Sequence, residues 1–230
     1  MTAPVPLYST NAAWLAALKL WLMADDTPDV QIQTWLYLAQ LRLNRELQSV
    51  HMEATIDIPI DDTLKGKPLD IATLIPTFNK VRLVIPFLNA KSAYSVSINE
   101  MIDMIGEAVA SGSMPTPIDQ KSYFCIDTNL LYIFPWPLSG STVTVKYYPI
   151  IPPISATVDT NVFGDWHSDL LLFASLIEGS KFIVEDDRLP TWKTAYAEGV
   201  ESTNNTSKHQ KLGSTPLVRQ IWASPGRKGV

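Results

Sequence analysis

Residues 27–50 read TPDVQIQTWLYLAQLRLNRELQSV, and the apolar residues of this stretch recur at helical spacing. Thr27 offers a capping hydroxyl, and Pro28 suits a first helical turn because it needs no amide donor there. The apolar stripe consists of Ile32, Trp35, Ala39, Leu43, Leu47 and Val50. A second row, Leu36, Leu38 and Leu41, makes the apolar surface wider than one partner helix covers. We therefore expect this helix either to lie in a deep core or to contact another subunit.

Three more helices are predicted around this one. The first begins near residues 9–11 and ends at Asp25 and Asp26, with Trp14, Leu15, Leu18, Trp21 and Leu22 at helical spacing. A second pair follows later in the chain, with Asp165 as the expected cap. Its apolar positions are Leu170, Leu171, Ala174, Ile177 and Phe182, then Trp192, Ala195, Tyr196 and Val200. Two distant helix pairs that each need a partner are expected to pack on each other.

The residues between the helix pairs favour β-structure. Ile56, Ile58 and Ile60 alternate with polar residues and predict an edge strand, and Val81, Leu83 and Ile85 predict a second strand. Strands at 123–126 and 130–134 flank Asp127-Thr128-Asn129, which suits a hairpin turn with a left-handed residue. A further strand at 142–148 would complete an antiparallel meander, and residues 97–108 predict a short helix. Prolines within 150–154 then return the chain to the helical part.

These elements indicate an α+β fold: a helical bundle made from the N- and C-terminal helix pairs, with an inserted antiparallel β module and an extended C-terminal arm. The expected boundaries are 1–52 and 158–206 for the two halves of the helical part, 53–157 for the β-rich module and 207–230 for the arm. At 230 residues, the chain is long enough for one large core or for a core with a smaller satellite.

Composition argues against several classes of function. The chain has 18 Lys plus Arg against 23 Asp plus Glu, a net charge of −5, which disfavours wrapping nucleic acid through phosphate neutralisation. Charged residues make up only 18%, so some apolar surface is expected to meet other chains. Cys125 is the only cysteine, which fits a reducing compartment. We find no pattern typical of a membrane span or export signal and expect a soluble cytoplasmic product.

Catalytic and metal-binding patterns are equally absent from the sequence. The three histidines, His51, His167 and His209, lie in no recognisable motif, and no phosphate-binding glycine loop occurs. A hydrolase would need two positioned carboxylates, and Glu46, Glu178 or Asp169 could be chosen only arbitrarily. We therefore expect no enzyme, no cofactor and no metal. A cellular helical module that binds a peptide stays open as an alternative.

The last segment differs from the rest of the chain in charge. No acidic residue follows Glu201, whereas Lys208, Lys211, Arg219, Arg227 and Lys228 are basic. Such a segment could become ordered on an acidic partner.

The order of these elements resembles the head-to-tail adaptor, or connector, proteins of short-tailed bacteriophages. The resemblance rests on the segment WLYLAQLRL at 35–43, on LYIFP at 131–135 with YYPIIP at 147–152, and on the helix pair between Trp166 and Tyr196. It implies a ring of about twelve copies docked beneath the portal protein. Such a ring would extend the DNA channel without specific DNA binding and would provide the platform for a tail nozzle or tail-tube protein, and for tail fibres. Another virion ring, such as a head-completion or tail-tube component, is the alternative.

Three groups of residues are candidates for these contacts. The subunit-packing group is Trp14, Trp21, Trp35, Leu38, Leu41, Trp166 and Trp192. A portal-docking role is assigned to the arm residues Leu217, Arg219, Ile221, Trp222, Arg227 and Lys228. Trp136 is expected in a loop that faces the tail.

Overall fold

The computed structural model describes residues 7–64, 67–87, 92–111, 121–182 and 187–211. Within these ranges the helices are α1 (Asn11–Leu22), α2 (Asp29–Glu46), α3 (Ile71–Leu74), α4 (Ile98–Ser111), α5 (Val162–Trp166), α6 (Ser168–Ser180) and α7 (Leu189–Lys211). The strands are β1 (Ala54–Pro59), β2 (Leu69–Asp70), β3 (Phe78–Ile85), β4 (Tyr94–Ser95), β5 (Tyr123–Asp127), β6 (Leu130–Phe134) and β7 (Thr142–Pro149). The fold is α+β, as expected.

Helices α1 and α2 lie where the sequence predicts them, but their ends differ in detail. The Thr10 hydroxyl caps α1 by accepting the Ala13 N–H at 3.1 Å. Helix α1 ends at Leu22, earlier than Asp25, and the capping residue Met23 adopts a left-handed conformation with φ of 52°. The expected Thr27 cap is wrong, because Pro28 occupies the capping position of α2 and no side chain caps that end. Helix α2 is followed by a short 3-10 turn at Val50–Met52.

The helical core forms where α1, α2, α6 and α7 pack together, which confirms the predicted association of the two helix pairs. Trp14, Leu18, Trp35 and Leu36 are all at most 1% exposed. Helix α6 is the centre of this core, since ten of its 13 residues are buried. Gly179 in α6 lets it approach α1 and α2, because a Cβ atom there would lie 2.6 Å from a Leu22 methyl carbon.

The entry into α6 differs from expectation. Asn161, rather than Asp165, provides the cap, and it serves the short helix α5: its side-chain oxygen accepts the N–H groups of Phe163 at 3.0 Å and Gly164 at 3.1 Å. Helix α6 then begins directly after His167 without a side-chain cap. Asp165 itself lies within α5 and does not cap α6.

The predicted antiparallel meander is wrong, although the individual strands are present. One sheet has the order β1-β7-β3 and the other the order β2-β6-β5-β4, with β4 parallel to β5. Strand β7 does not pair with β6; it lies between β1 and β3, so that Val143 and Val145 share a buried cluster with Ile58 and Val84. The connection between β6 and β7 contains Pro135 and Pro137, which lack the N–H groups that a tight hairpin would use.

Two local β predictions are confirmed. Strand β1 is an edge strand. Strands β5 and β6 form a hairpin in which Thr128 is the left-handed residue, with φ of 56°. The predicted alternation in β3 is wrong, because register shifts between residues 78 and 80 and between 81 and 83 leave Val84 as its fully buried residue.

Helix α4 packs on the second sheet through Met101 and Ala108, which contact Cys125 and Phe134 in a separate buried cluster. Its start is a capping box, in which the Glu100 carboxylate accepts the Ser97 N–H at 2.8 Å and the Ser97 hydroxyl accepts the Glu100 N–H at 3.3 Å.

The C-terminal helix is longer than expected. Helix α7 continues to Lys211, so residues 207–211 are helical and do not form the start of an extended arm. Residues 202–211 are polar and form no apolar stripe, so this part of the helix could not be predicted from hydrophobic periodicity. Residues 212–230, and with them all six arm residues assigned to portal docking, lie outside the described residues.

Candidate interaction surfaces

Helix α2 presents apolar side chains on the side opposite its buried stripe. Val30 is 79% exposed, Tyr37 43% and Leu41 36%. These residues are separated by seven and four positions, so they lie on one face of the helix. Thr34 lies between them and satisfies its hydroxyl by donating to the Val30 carbonyl oxygen at 2.8 Å. We call this set, Val30, Thr34, Tyr37 and Leu41, the outer face of α2.

A second exposed apolar group lies at the C-terminal end of α1. Leu20 is 75% exposed, Trp21 41% and Met23 81%. Asp25 and Asp26, both exposed, follow immediately. We call these five residues the α1 end.

The candidate subunit-packing residues divide into buried and exposed groups. Trp14, Trp35 and Trp192 are 0%, 1% and 4% exposed, so they pack inside this chain and offer no surface to a neighbour. Trp166 and Leu38 are half-buried, and only Trp21 and Leu41 are exposed. A tryptophan at helical spacing looks the same in a sequence whether it packs inward or outward, so the sequence does not separate the buried group from the exposed one.

Trp136, the candidate tail-facing residue, is half-buried. It lines a small apolar recess together with Leu64, Leu69 and Ile133. The exposed apolar side chain of this loop is Leu138, at 46%.

The helical core is joined to the strands by a row of amide side chains on α2 that the sequence reasoning missed. The Asn44 side chain accepts the Ile151 N–H at 2.8 Å and donates to the Ile151 carbonyl at 3.2 Å. Gln40 accepts the Ile154 N–H at 2.8 Å, and Gln33 donates to the Ile154 carbonyl at 2.8 Å. The segment that leaves β7 therefore pairs with side chains in place of a neighbouring strand. The sequence did contain a signal for this row: the amide side chains at positions 33, 40 and 44 lie next to the apolar side of the predicted helix.

Asn161 extends this row. Its side-chain nitrogen donates to Gln40 Oε1 and to the Pro152 carbonyl, both at 2.7 Å. Because its oxygen also caps α5, one buried side chain links α2, the returning segment and α5.

A charged cluster joins α2, α6 and α7. Glu178, only 5% exposed, forms an ion pair with Arg42 at 2.6 Å and a second one with Lys181. Tyr196 donates its hydroxyl to Glu46 at 2.8 Å. Burial, reinforced by this hydrogen bond to the Glu46 carboxylate, raises the pKa of Tyr196 well above its usual value. These carboxylates hold helices together, so Glu46 and Glu178 do not form an open catalytic pair.

A polar cleft lies beside the 3-10 turn and the last turns of α7. His51 stacks on Trp166 with ring centroids 3.6 Å apart, and His167 lies 6.2 Å from His51. Burial, with a smaller contribution from His51, lowers the pKa of His167 to about 4. Ser202, Thr206 and Gln210 of α7 complete the lining.

The described residues contain no group of three or more His, Cys, Asp or Glu side chains arranged to hold a metal ion. No helix among them is long and apolar enough to cross a membrane. Cys125 is buried, and this burial raises the pKa of its thiol.

The family model described as SU10 adaptor protein matches residues 10–220. This span runs from the cap of α1 through both sheets and past the end of α7. The chain belongs to the SU10 adaptor protein family. It is therefore a phage adaptor, a structural protein of the virion. A search of curated proteins found no match.

Proposed function

We propose that this adaptor forms a ring beneath the portal of a short-tailed phage. The ring would extend the DNA channel and carry the tail proteins. Family membership supports the adaptor role. The observation that supports ring formation is the outer face of α2, where Val30, Tyr37 and Leu41 are exposed on a helix whose other side is fully used by the core.

A ring member needs surfaces that bind the next copy in a head-to-tail manner, because only such contacts close by rotation. An exposed apolar helix face is suited to this contact, since burying one large aliphatic side chain contributes about 1.5–3 kcal/mol. The net charge of −5 fits a channel wall that DNA passes without binding. Specific phosphate binding would require a basic stripe.

The β strands are proposed to face the tail. Their loops, including Trp136 and the exposed Leu138, are separate from the helices that would build the ring. A Leu138→Ala variant should assemble on the portal normally and recruit tail proteins more weakly. Normal recruitment of every tail protein would contradict this orientation.

The ring itself is tested with charged substitutions on the outer face of α2. Val30→Glu combined with Leu41→Glu should leave the fold intact, because both positions are exposed, and should abolish assembly on purified portal rings. Gln31→Glu is the matched control, since it places a carboxylate at an exposed α2 position outside this face. Native mass spectrometry of the mixture measures the copies added per portal. Unchanged assembly by the double variant would refute the role of this face.

A further inference from the structure

The α1 end combines exposed apolar side chains with unpaired acidic ones. Leu20, Trp21 and Met23 lie at the end of the helix. Within the described part of the chain, neither Asp25 nor Asp26 forms an ion pair; Lys19, the nearby cation, is paired with Asp29 at 2.6 Å. Such a surface is complementary to a segment that carries both apolar and basic residues.

Residues 212–230 of this same chain have that character. They contain Arg219, Arg227 and Lys228 and no acidic residue, and they contain Leu217, Ile221 and Trp222 as large apolar residues. Aromatic and arginine side chains are the residues that most often dominate binding energy at interfaces.

The two partners lie at opposite ends of the helical core. Helix α2 begins beside the α1 end and ends at α7, where Asn204 donates to the Glu46 carbonyl at 3.0 Å. The 18 residues of α2 span about 27 Å. Helix α7 then continues for another seven residues beyond Asn204, or about 10 Å. Helix α7 runs alongside α2 in the same direction, since Tyr196 lies at Arg42 and Ser207 lies at Val50. The two lengths therefore add, and the C-terminal segment leaves its helix about 37 Å from the α1 end of its own chain.

We propose that residues 217–222 of one copy bind the α1 end of the adjacent copy. Trp222 follows Lys211 by eleven residues, which span at most about 36–40 Å when fully extended. Trp222 could reach the α1 end of its own chain only if the segment were fully extended. The α1 end of a neighbouring copy is not held at that distance, so the segment can bind it without being fully extended. Because donor and acceptor are two different surfaces, the contact is head-to-tail, which is the type of contact that generates a ring when the rotation between copies closes. This inference rests on the proposed ring and names a second contact within it.

A photo-crosslinking experiment identifies the surface that the segment touches. An Ala223→Cys variant carries a benzophenone label next to Trp222, and it is mixed with isotope-labelled wild-type chain and purified portal rings. The native Cys125 is buried and should not react with the label. After irradiation, mass spectrometry identifies the attached peptide and, from its isotopic mass, the copy that supplied it.

The expected product joins position 223 to a peptide containing residues 20–26 of the isotope-labelled copy. An Asp25→Asn, Asp26→Asn variant of the acceptor should reduce its yield at least about fivefold, since two charges that attract the basic segment are removed. Asp103→Asn with Glu107→Gln, which removes two exposed carboxylates from α4, should leave the yield unchanged.

Attachment to the portal would overturn the inference and favour portal docking of the arm, as the sequence pattern suggested. Attachment only within the same chain would overturn the contact between copies. If the wild-type chain adds no mass to portal rings at all, the proposed ring fails, and this inference fails with it. Assembly of a ring without the expected crosslink refutes the inference alone.

Discussion

Asn44 offers a direct test of how the helical core holds the returning segment 150–154. The substitution Asn44→Leu keeps the size of the side chain but removes both hydrogen bonds to Ile151. Asn44 and Ile151 are 8% and 7% exposed, so water cannot readily replace those bonds. Leaving two buried backbone groups unpaired costs about 2–6 kcal/mol, at about 1–3 kcal/mol for each group. The added apolar burial of leucine offsets about 1–2 kcal/mol of this cost. At the middle of these ranges, the expected net loss is about 2–3 kcal/mol.

Urea denaturation followed by tryptophan fluorescence measures this loss, because Trp14 and Trp35 are buried in the same core. Gln31→Leu is the control, since it changes an exposed polar residue of the same helix and should alter the free energy of unfolding by less than about 0.5 kcal/mol. Hydrogen exchange adds a local measurement: the Ile151 amide should exchange faster in Asn44→Leu, while the Val145 amide within β7 should not. If Asn44→Leu costs no more than Gln31→Leu and leaves Ile151 exchange unchanged, the amide row does not hold the segment.

Three further predictions concern close packing, pH and the end of α7. Gly179→Ala should destabilise the fold by about 1–3 kcal/mol, because its Cβ would approach Leu22 and Trp35 within 3 Å; Gly106→Ala, with open space around it, should be neutral or slightly stabilising in the same thermal melts. Burial lowers the pKa of His167 to about 4 in the folded chain, against 6.5 ordinarily. Its contribution to stability is therefore complete above pH 6.5 and is lost as pH falls toward 4, by at most about 3.4 kcal/mol. Unfolding measured across this range should show a shallower pH dependence in His167→Gln, and an identical slope would contradict the assignment. Asn204→Ala removes the bonds to the Gln48 N–H at 2.7 Å and the Glu46 carbonyl at 3.0 Å and should cost about 1–2 kcal/mol, whereas the exposed Asn205→Ala should cost little.

The helices of the core were predictable because their apolar residues repeat at the helical period. Trp14, Leu18, Ile32 and Trp35 follow that pattern and are all buried. The hairpin of β5 and β6 was also predictable, since Thr128 lies in a short turn that needs a left-handed residue. The spacing of nearby residues is therefore enough to predict both the core helices and this hairpin.

Strand pairing was not predictable from the same information. Strand β7 pairs with β1 and β3, whose residues lie more than 50 positions earlier in the chain. Alternation of apolar residues shows which face of a strand is buried, but it does not show which strand lies beside it. The bulges in β3 then moved burial from Val81 and Leu83 to Val84, which an unbroken alternation does not indicate.

The second half of α7 was missed because its contacts are polar. Ser207 accepts the Val50 N–H at 3.2 Å, and Asn204 binds Gln48, so hydrogen bonds to the end of α2 hold these turns. The periodicity of apolar residues does not predict hydrogen bonds of this kind between α7 and the end of α2. The candidate surfaces were only partly predictable for a related reason. Trp21 in α1 and Trp35 in α2 both lie at helical spacing, but Trp21 is exposed and Trp35 lies in the core.

Native mass spectrometry of purified portal rings mixed with an excess of this adaptor tests the central claim most directly. The account predicts that free adaptor and portal rings combine into one species that contains about twelve added copies, one for each portal subunit of a closed ring. A portal mass that does not change at any adaptor concentration would contradict the account.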